Sequence, residues 1–437
     1  MNTLDLALLG VGTAIAWLAF TLPAVRRSLK IKIATISVIY FLYSGVGIAT
    51  DPGLMAEFAF PYFVFLACLL LGVLLGAQLN VKQRSRRPIP REEMSERWWS
   101  NTSASWLAVI YVAAIIGQLF VTGRAGELFN PSSILLESNK GDDIFAGRLN
   151  RGENSAFVVL GYMKLLCIPF FYIELQRKLG SRWILQLLLL CGVTYLQVTV
   201  AEQWGRAALV QPFLIWLFVL LAHKRISGKI FTAIIVMGFT AVVPILNSIT
   251  VWRQGGDFAL TDGLGANISA FQKAELSYPS LYPIAREMGA SGEYIERYLL
   301  WLVSLPFPSS LTGTSFSVSR DFSEEILGIT YGQGGFYVLL PSWLGESFIA
   351  FGPYFALWGL IVGVLIGLMD RFLSKTPELL TYDAYLMALL FVYLRSVSQE
   401  YIAQAVASMW LLLFLYALSR LRREKTGAST TEEEISK

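Results

Sequence analysis

The chain has 437 residues, of which 55% are apolar and only 15% charged, with a mean hydropathy of +0.56. A soluble domain carries about 25% charged residues, so this composition cannot cover a water-exposed particle of that size, and an ordinary soluble globule is excluded. The net charge of +4 falls in basic clusters between apolar runs. That pattern marks membrane topology rather than a surface for nucleic acid, and no nucleic-acid partner is expected.

One hydrocarbon crossing takes about 20 apolar residues. In chain order, runs of that kind are predicted at 4–25, 33–50, 58–79, 104–122, 155–175, 183–202, 207–222, 230–250, 347–369, 384–401 and 403–419. The first lacks the basic flank of a secretory signal and reads as a permanent helix. Basic residues concentrate in alternate connections: Arg26 to Lys32, Lys82 to Arg97, Arg177 to Arg182, Lys224 to Lys229, Arg371 with Lys375, and Arg420 to Lys437. The positive-inside rule then puts the N-terminus outside and the C-terminus in the cytoplasm. The predicted fold class is an all-α polytopic membrane protein of about 11 transmembrane helices. Residues 1–423 form a single membrane domain, and 424–437 a polar, disordered cytoplasmic tail.

Two outer connections are long. Residues 123–154 read as an ordinary polar loop. Residues 251–345 carry aromatic-rich patches, Tyr294 to Phe307 and Ile329 to Leu344, and are predicted to be a large extracytoplasmic loop folded into interfacial helices.

Several features carry no chemistry. Cys68, Cys167 and Cys191 all lie within apolar runs, away from any loop disulfide or metal cluster. The single histidine, His223, stands in a basic cluster at the cytoplasmic end of the seventh run and cannot build a zinc site alone. Gly255-Gly256-Asp257-Phe258 spells a diguanylate cyclase signature but follows an apolar run on the outer side, without the soluble α/β context that activity needs. No metal and no cofactor are expected.

The informative residues are arginines on the outer side. Arg206 opens the seventh run, where free helix N–H groups would reinforce an anion site. Arg253 closes the eighth, and Arg395 lies inside the tenth, where a charge must face the bundle interior or a wet cavity. Arg286, Arg297 and Arg320 are spread over the large loop, either as diphosphate ligands or as partners of nearby acids. Guanidinium groups match diphosphate oxygens in bidentate fashion and stabilise a leaving pyrophosphate without a metal. Glu346, opening the ninth run, and Glu400, ending the tenth, are the candidate general bases; the alternatives are a capping carboxylate at Glu346 and a partner for Arg395 at Glu400. Lys164, in mid-run, is a structural cation or a phosphate ligand.

Three features together carry a resemblance: Gly205-Arg206 at the start of a mid-chain run, the late outer loop, and the stretch Leu340-Pro-Ser-Trp-Leu-Gly-Glu-Ser-Phe-Ile-Ala-Phe-Gly352. The polar interruption Arg395-Ser-Val-Ser-Gln-Glu400 adds a fourth. With them the chain resembles the Wzy family of O-antigen and oligosaccharide repeat-unit polymerases. The resemblance implies a GT-C-like fold in the bacterial inner membrane and metal-independent transfer at the periplasmic face. Undecaprenyl-diphosphate-linked glycan would be both donor and acceptor, and a chain-length-regulating copolymerase a further partner. Arg206, Arg253 and Arg395 would bind the diphosphate. Some members place a glycine eleven positions after the arginine in both main outer loops; here Leu217 and Leu264 stand there. The alternatives are a lipid-linked glycan flippase or transporter, and an O-antigen ligase-like transferase, against which the absence of an outer-face histidine counts.

Overall fold

The computed structural model describes residues 27–45, 48, 51–78, 101–129, 155–180, 182–201, 206–231, 233–234, 237, 278–305, 316–331, 333, 336, 338–373, 377–394 and 396–414. The predicted run 4–25, most of 230–250, most of the 123–154 loop, the Gly255–Phe258 tetrapeptide, the tail 424–437, and Arg253 and Arg395 lie outside the described residues.

Among the described residues all regular structure is helical. The membrane-type helices are α1 (Arg27–Tyr40, continued by a π-turn Phe41–Gly45), α2 (Pro52–Gln78), α3 (Asn101–Val121), α4 (Ser155–Leu179), α5 (Trp183–Ala201) and α6 (Arg206–Ala222). The late loop supplies α7 (Tyr282–Ala290), α8 (Glu293–Ser304) and α9 (Val318–Leu327). Then follow α10 (Ser342–Phe351), α11 (Phe355–Leu373), α12 (Pro377–Tyr393) and a last helix, α13, over 398–414. Among the described residues, four stretches are long and apolar enough to cross a membrane: Pro52–Gln78, Ser155–Leu179, Trp183–Val200 and Ser342–Leu373. Ser105–Val121, Val210–Ala222 and Leu379–Tyr393 are shorter apolar helices. Large apolar side chains such as Phe60, Trp106, Phe120 and Leu188 face outward, as a lipid-facing surface requires.

Backbone-to-backbone contact between α2 and α11 organises the bundle. A Cβ added at Gly72 would lie 2.3 Å from the Leu360 carbonyl oxygen, one at Gly363 2.1 Å from that of Leu69, and one at Gly367 2.2 Å from that of Val73. The numbers rise together along both helices, so the two run parallel. Small residues at every fourth position are what let helices approach this closely where no hydrophobic effect drives them together. In contrast, α3 and α4 run antiparallel: Gln118 Nε2 donates to the Phe157 carbonyl (3.3 Å) at one end and Ser105 Oγ to Glu174 Oε2 (3.0 Å) at the other. In the late loop, α7 lies so close to α10 that a Cβ at Gly289 would sit 1.8 Å from the Phe348 carbonyl oxygen.

Two expectations need correction. Lys32, counted among the cytoplasmic basic residues, lies inside α1, which begins before the predicted start at 33, and is 3% exposed. It is drawn in by two aspartates on other helices, which a hydropathy window does not see. The predicted run 384–401 is not one helix: α12 ends at Tyr393, and α13 restarts at 398. The interruption is stabilised by tertiary hydrogen bonds, described next.

Candidate functional site

A helix that stops and restarts inside a protein leaves carbonyls without donors on one side and N–H groups without acceptors on the other. Here both sets find side chains from other helices. The Glu346 carboxylate of α10 accepts from the backbone N–H groups of Ser398, at Oε2, and of Gln399 (2.9 Å, at Oε1), and from the Tyr298 hydroxyl of α8 (2.6 Å, at Oε1). A negative group against the first N–H groups of α13 is favoured by the helix dipole as well. Trp343 Nε1 donates to the Tyr393 carbonyl (2.8 Å), and Trp358 Nε1 to Ser398 Oγ (3.0 Å). Glu346 is 0% exposed. Burial, and the neighbouring Glu346 carboxylate, push the Tyr298 phenol well above its ordinary pKa, so it remains a donor. At the start of α10, Ser342 adopts φ +61°, a left-handed conformation that costs a non-glycine residue energy, and its Oγ shares a hydrogen bond of 2.7 Å with the Tyr282 hydroxyl.

The same junction is tied to the helices of the late loop. The Gln399 side chain accepts from the Val318 N–H (2.9 Å), the first residue of α9, and donates to the Phe316 carbonyl (3.1 Å). The Phe316 ring lies 4.7 Å from the Arg297 guanidinium, and Arg297 in turn pairs with Asp321 Oδ2 (2.6 Å). Arg320 approaches the other oxygen of Asp321 at 3.3 Å. Arg297, Arg320, Asp321, Glu324 and Glu325, with the rings of Tyr294 and Tyr331, line a cleft of about 540 Å³. An unbroken series of contacts therefore runs from the helix interruption through Gln399 and Phe316 to this cleft.

The sequence-predicted residues divide accordingly. Glu346 is the buried acceptor at the junction. Glu400, in the first turn of α13, is half-buried and accepts from Ser396 Oγ (3.1 Å). Arg320 lines the cleft, engaged with Asp321. Arg286 is elsewhere: it pairs with Glu57 at the start of α2 and lies 5.2 Å over the Phe58 ring, both charged side chains being about half exposed. Arg206 is the first residue of α6, with its side chain outside the described residues, as are Arg253 and Arg395 entirely. The immediate chain neighbours of Arg395, Leu394 and Ser396, are buried. Lys164 is half-buried on α4. Cys68, Cys167 and Cys191 are free thiols, and among the described residues no cluster of His, Cys, Asp and Glu could hold a metal ion.

Sequence reasoning missed Tyr298, Asp321 and Gln399. The aromatic and polar character of 294–301 was visible, but nothing in local spacing joins Gln399 to Val318 across 81 positions. Comparison with known proteins adds nothing further: no family model, no curated protein and no solved structure matches the chain.

Proposed function

We propose that the chain is a metal-independent polymerase of lipid-linked oligosaccharides. At the outer face of the bacterial inner membrane it would transfer an undecaprenyl-diphosphate-linked glycan to the terminal sugar of a second lipid-linked unit, with its products passing to surface polysaccharide. The observation that carries the proposal is the junction itself: buried polar groups interrupt an apolar helix and fasten it to a cleft with two guanidinium groups. A substrate with an apolar tail and a polar, hydroxyl-rich head calls for an apolar helix surface beside a polar cleft.

In this scheme Arg206, Arg253 and Arg395 hold the diphosphate, and Glu400 takes the proton of the acceptor hydroxyl. That oxygen bonds to the anomeric carbon as the bond from carbon to the diphosphate oxygen breaks, and the carrier leaves with its charge neutralised by the guanidinium groups. Glu346 has both oxygens committed to three donors and acts by positioning. Arg320 and Arg286 are engaged with carboxylates of the chain, the first shaping the cleft and the second fastening α7 to α2. The parallel course of α2 and α11 supports an eleven-span, GT-C-like topology. Two helices crossing in one direction need an odd number of crossings between them, in keeping with the five runs predicted at 104–122, 155–175, 183–202, 207–222 and 230–250. A copolymerase would set chain length from outside the site.

The test is the purified protein with undecaprenyl-diphosphate-linked repeat units and a chelator. Longer lipid-linked chains are expected, and Arg206→Ala, Arg253→Ala or Arg395→Ala should abolish them. A strict requirement for a divalent ion, or products unchanged in all three arginine variants, overturns the proposal. One observation favours a second reading, a glycan flippase or transporter: a lysine and two aspartates are buried in the bundle, as ion-coupled carriers require. Transbilayer movement of carrier-linked units in vesicles, without chain growth, would establish that reading instead.

A further inference from the structure

Three charged side chains from three helices meet in the bundle interior. Lys32 of α1, Asp370 of α11 and Asp383 of α12 are 3%, 0% and 4% exposed. Lys32 Nζ donates to Asp370 Oδ1 at 2.8 Å and also to Asp383 Oδ1. One ammonium faces two carboxylates, so the fully ionised triad would carry a net negative charge where no water reaches it. A buried uncompensated charge is among the most unfavourable arrangements available to a protein.

Among the described residues, neither aspartate makes a hydrogen bond or ion pair with a second cation. Arg371, the next residue on α11, has Nη1 buried with no hydrogen-bond partner, so that nitrogen donates to neither aspartate. Tyr401 of α13, close enough to Asp383 to interact with it electrostatically, brings no cationic group. His223, following α6, meets the hydroxyl of Thr381 rather than a carboxylate. On α4, Glu174 is engaged by Arg177 and Ser105. The acid of α2, Glu57, is at the far end of that helix, paired with Arg286. Independently, the second oxygen of Asp370, Oδ2, is buried with no partner.

We propose that Lys32, Asp370 and Asp383 form an intramembrane proton-binding site in which the two carboxylates share one proton, leaving the triad neutral with the lysine ionised. Two carboxylates held close in a dry site cannot both ionise at little cost, which is the general reason such pairs retain a proton. Loss of that proton restores the uncompensated charge, so proton exchange changes how firmly α1 holds α11 and α12. Helix α12 runs from Asp383 to the interruption at Tyr393, so it links the proton site to the junction.

The experiment is infrared spectroscopy of the purified full-length protein in detergent at neutral pH, with and without 13C-labelled aspartate. A carbonyl band of a protonated carboxylic acid that shifts with the aspartate label is expected. The band should disappear in Asp370→Asn and in Asp383→Asn, where one carboxylate remains to pair with the lysine, and should grow in Lys32→Met. It should be indifferent to Glu346→Gln. Absence of a label-sensitive band in the unaltered protein overturns the proposal even if every variant fails to fold, and so does a band that survives both aspartate substitutions.

Discussion

Glu346→Ala would remove the acceptor for three buried donors at once: the N–H groups of Ser398 and Gln399 and the Tyr298 hydroxyl. The two amides are the first N–H groups of α13, and losing a capping oxygen costs about 0.5–2 kcal/mol. The orphaned phenol adds about 1–3 kcal/mol, because a buried donor left without a partner forfeits its solvation. Together these amount to about 1.5–5 kcal/mol, enough to lower the thermal midpoint in detergent by several degrees. Glu346→Gln keeps one oxygen and the side-chain volume, so roughly half that loss is expected. The loss should carry a functional signature, since displacing the Gln399 amide releases the tether to Val318 and loosens the cleft. A midpoint for Glu346→Ala equal to that of the parent would refute the capping role. If Glu346→Gln kept full stability yet abolished chain growth, with substrate binding unchanged, Glu346 would be the base and the positioning role would be wrong.

Other outcomes follow from the same geometry. Gly363→Val puts a Cβ about where the Leu69 carbonyl oxygen stands, at 2.1 Å, and backbone cannot yield as a flexible side chain can; a loss of about 3 kcal/mol is expected, read as a lowered midpoint or failed insertion. Arg286→Ala breaks a half-exposed ion pair and should cost at most about 1 kcal/mol, with chain growth retained. Burial, and then the positive charge of Arg225, depress the pKa of His223, so the unfolded chain takes up a proton that the folded one refuses. Stability should therefore fall as pH drops through the ordinary histidine value of about 6.5, and His223→Gln should remove that dependence. A cysteine at the exposed position Glu325, in a cysteine-free background, should react with a membrane-impermeant maleimide applied to the outer face; protection would reverse the proposed orientation.

The helical class of the described residues was legible because crossing a bilayer demands long apolar runs, and α2, α4, α5 and α11 follow those runs closely. Glu346 was read from the sequence as a candidate base or as the capping carboxylate of the helix that it opens. The helix it caps, however, is not its own but α13, half a hundred positions further on. Arg286 and Arg320 were legible as arginines of the long late loop, but the carboxylates that engage them were not: Glu57 is 229 positions away from Arg286, and Asp321 beside Arg320 also takes Arg297 from a different helix.

What composition and periodicity determined without a structure was the solvent of this protein, apolar on nearly every side, and the grouping of its charges between crossings. Those are additive properties of a local window. Only tertiary structure decided that Lys32 leaves the basic cluster around the start of α1 for a pair of aspartates more than three hundred positions away, and that a continuous apolar run breaks at Tyr393. A charge in a low-dielectric interior is stable only beside a partner, and a broken helix only where acceptors and donors await it. Both partners come from distant segments, so their positions are properties of the packed bundle and not of any stretch of chain.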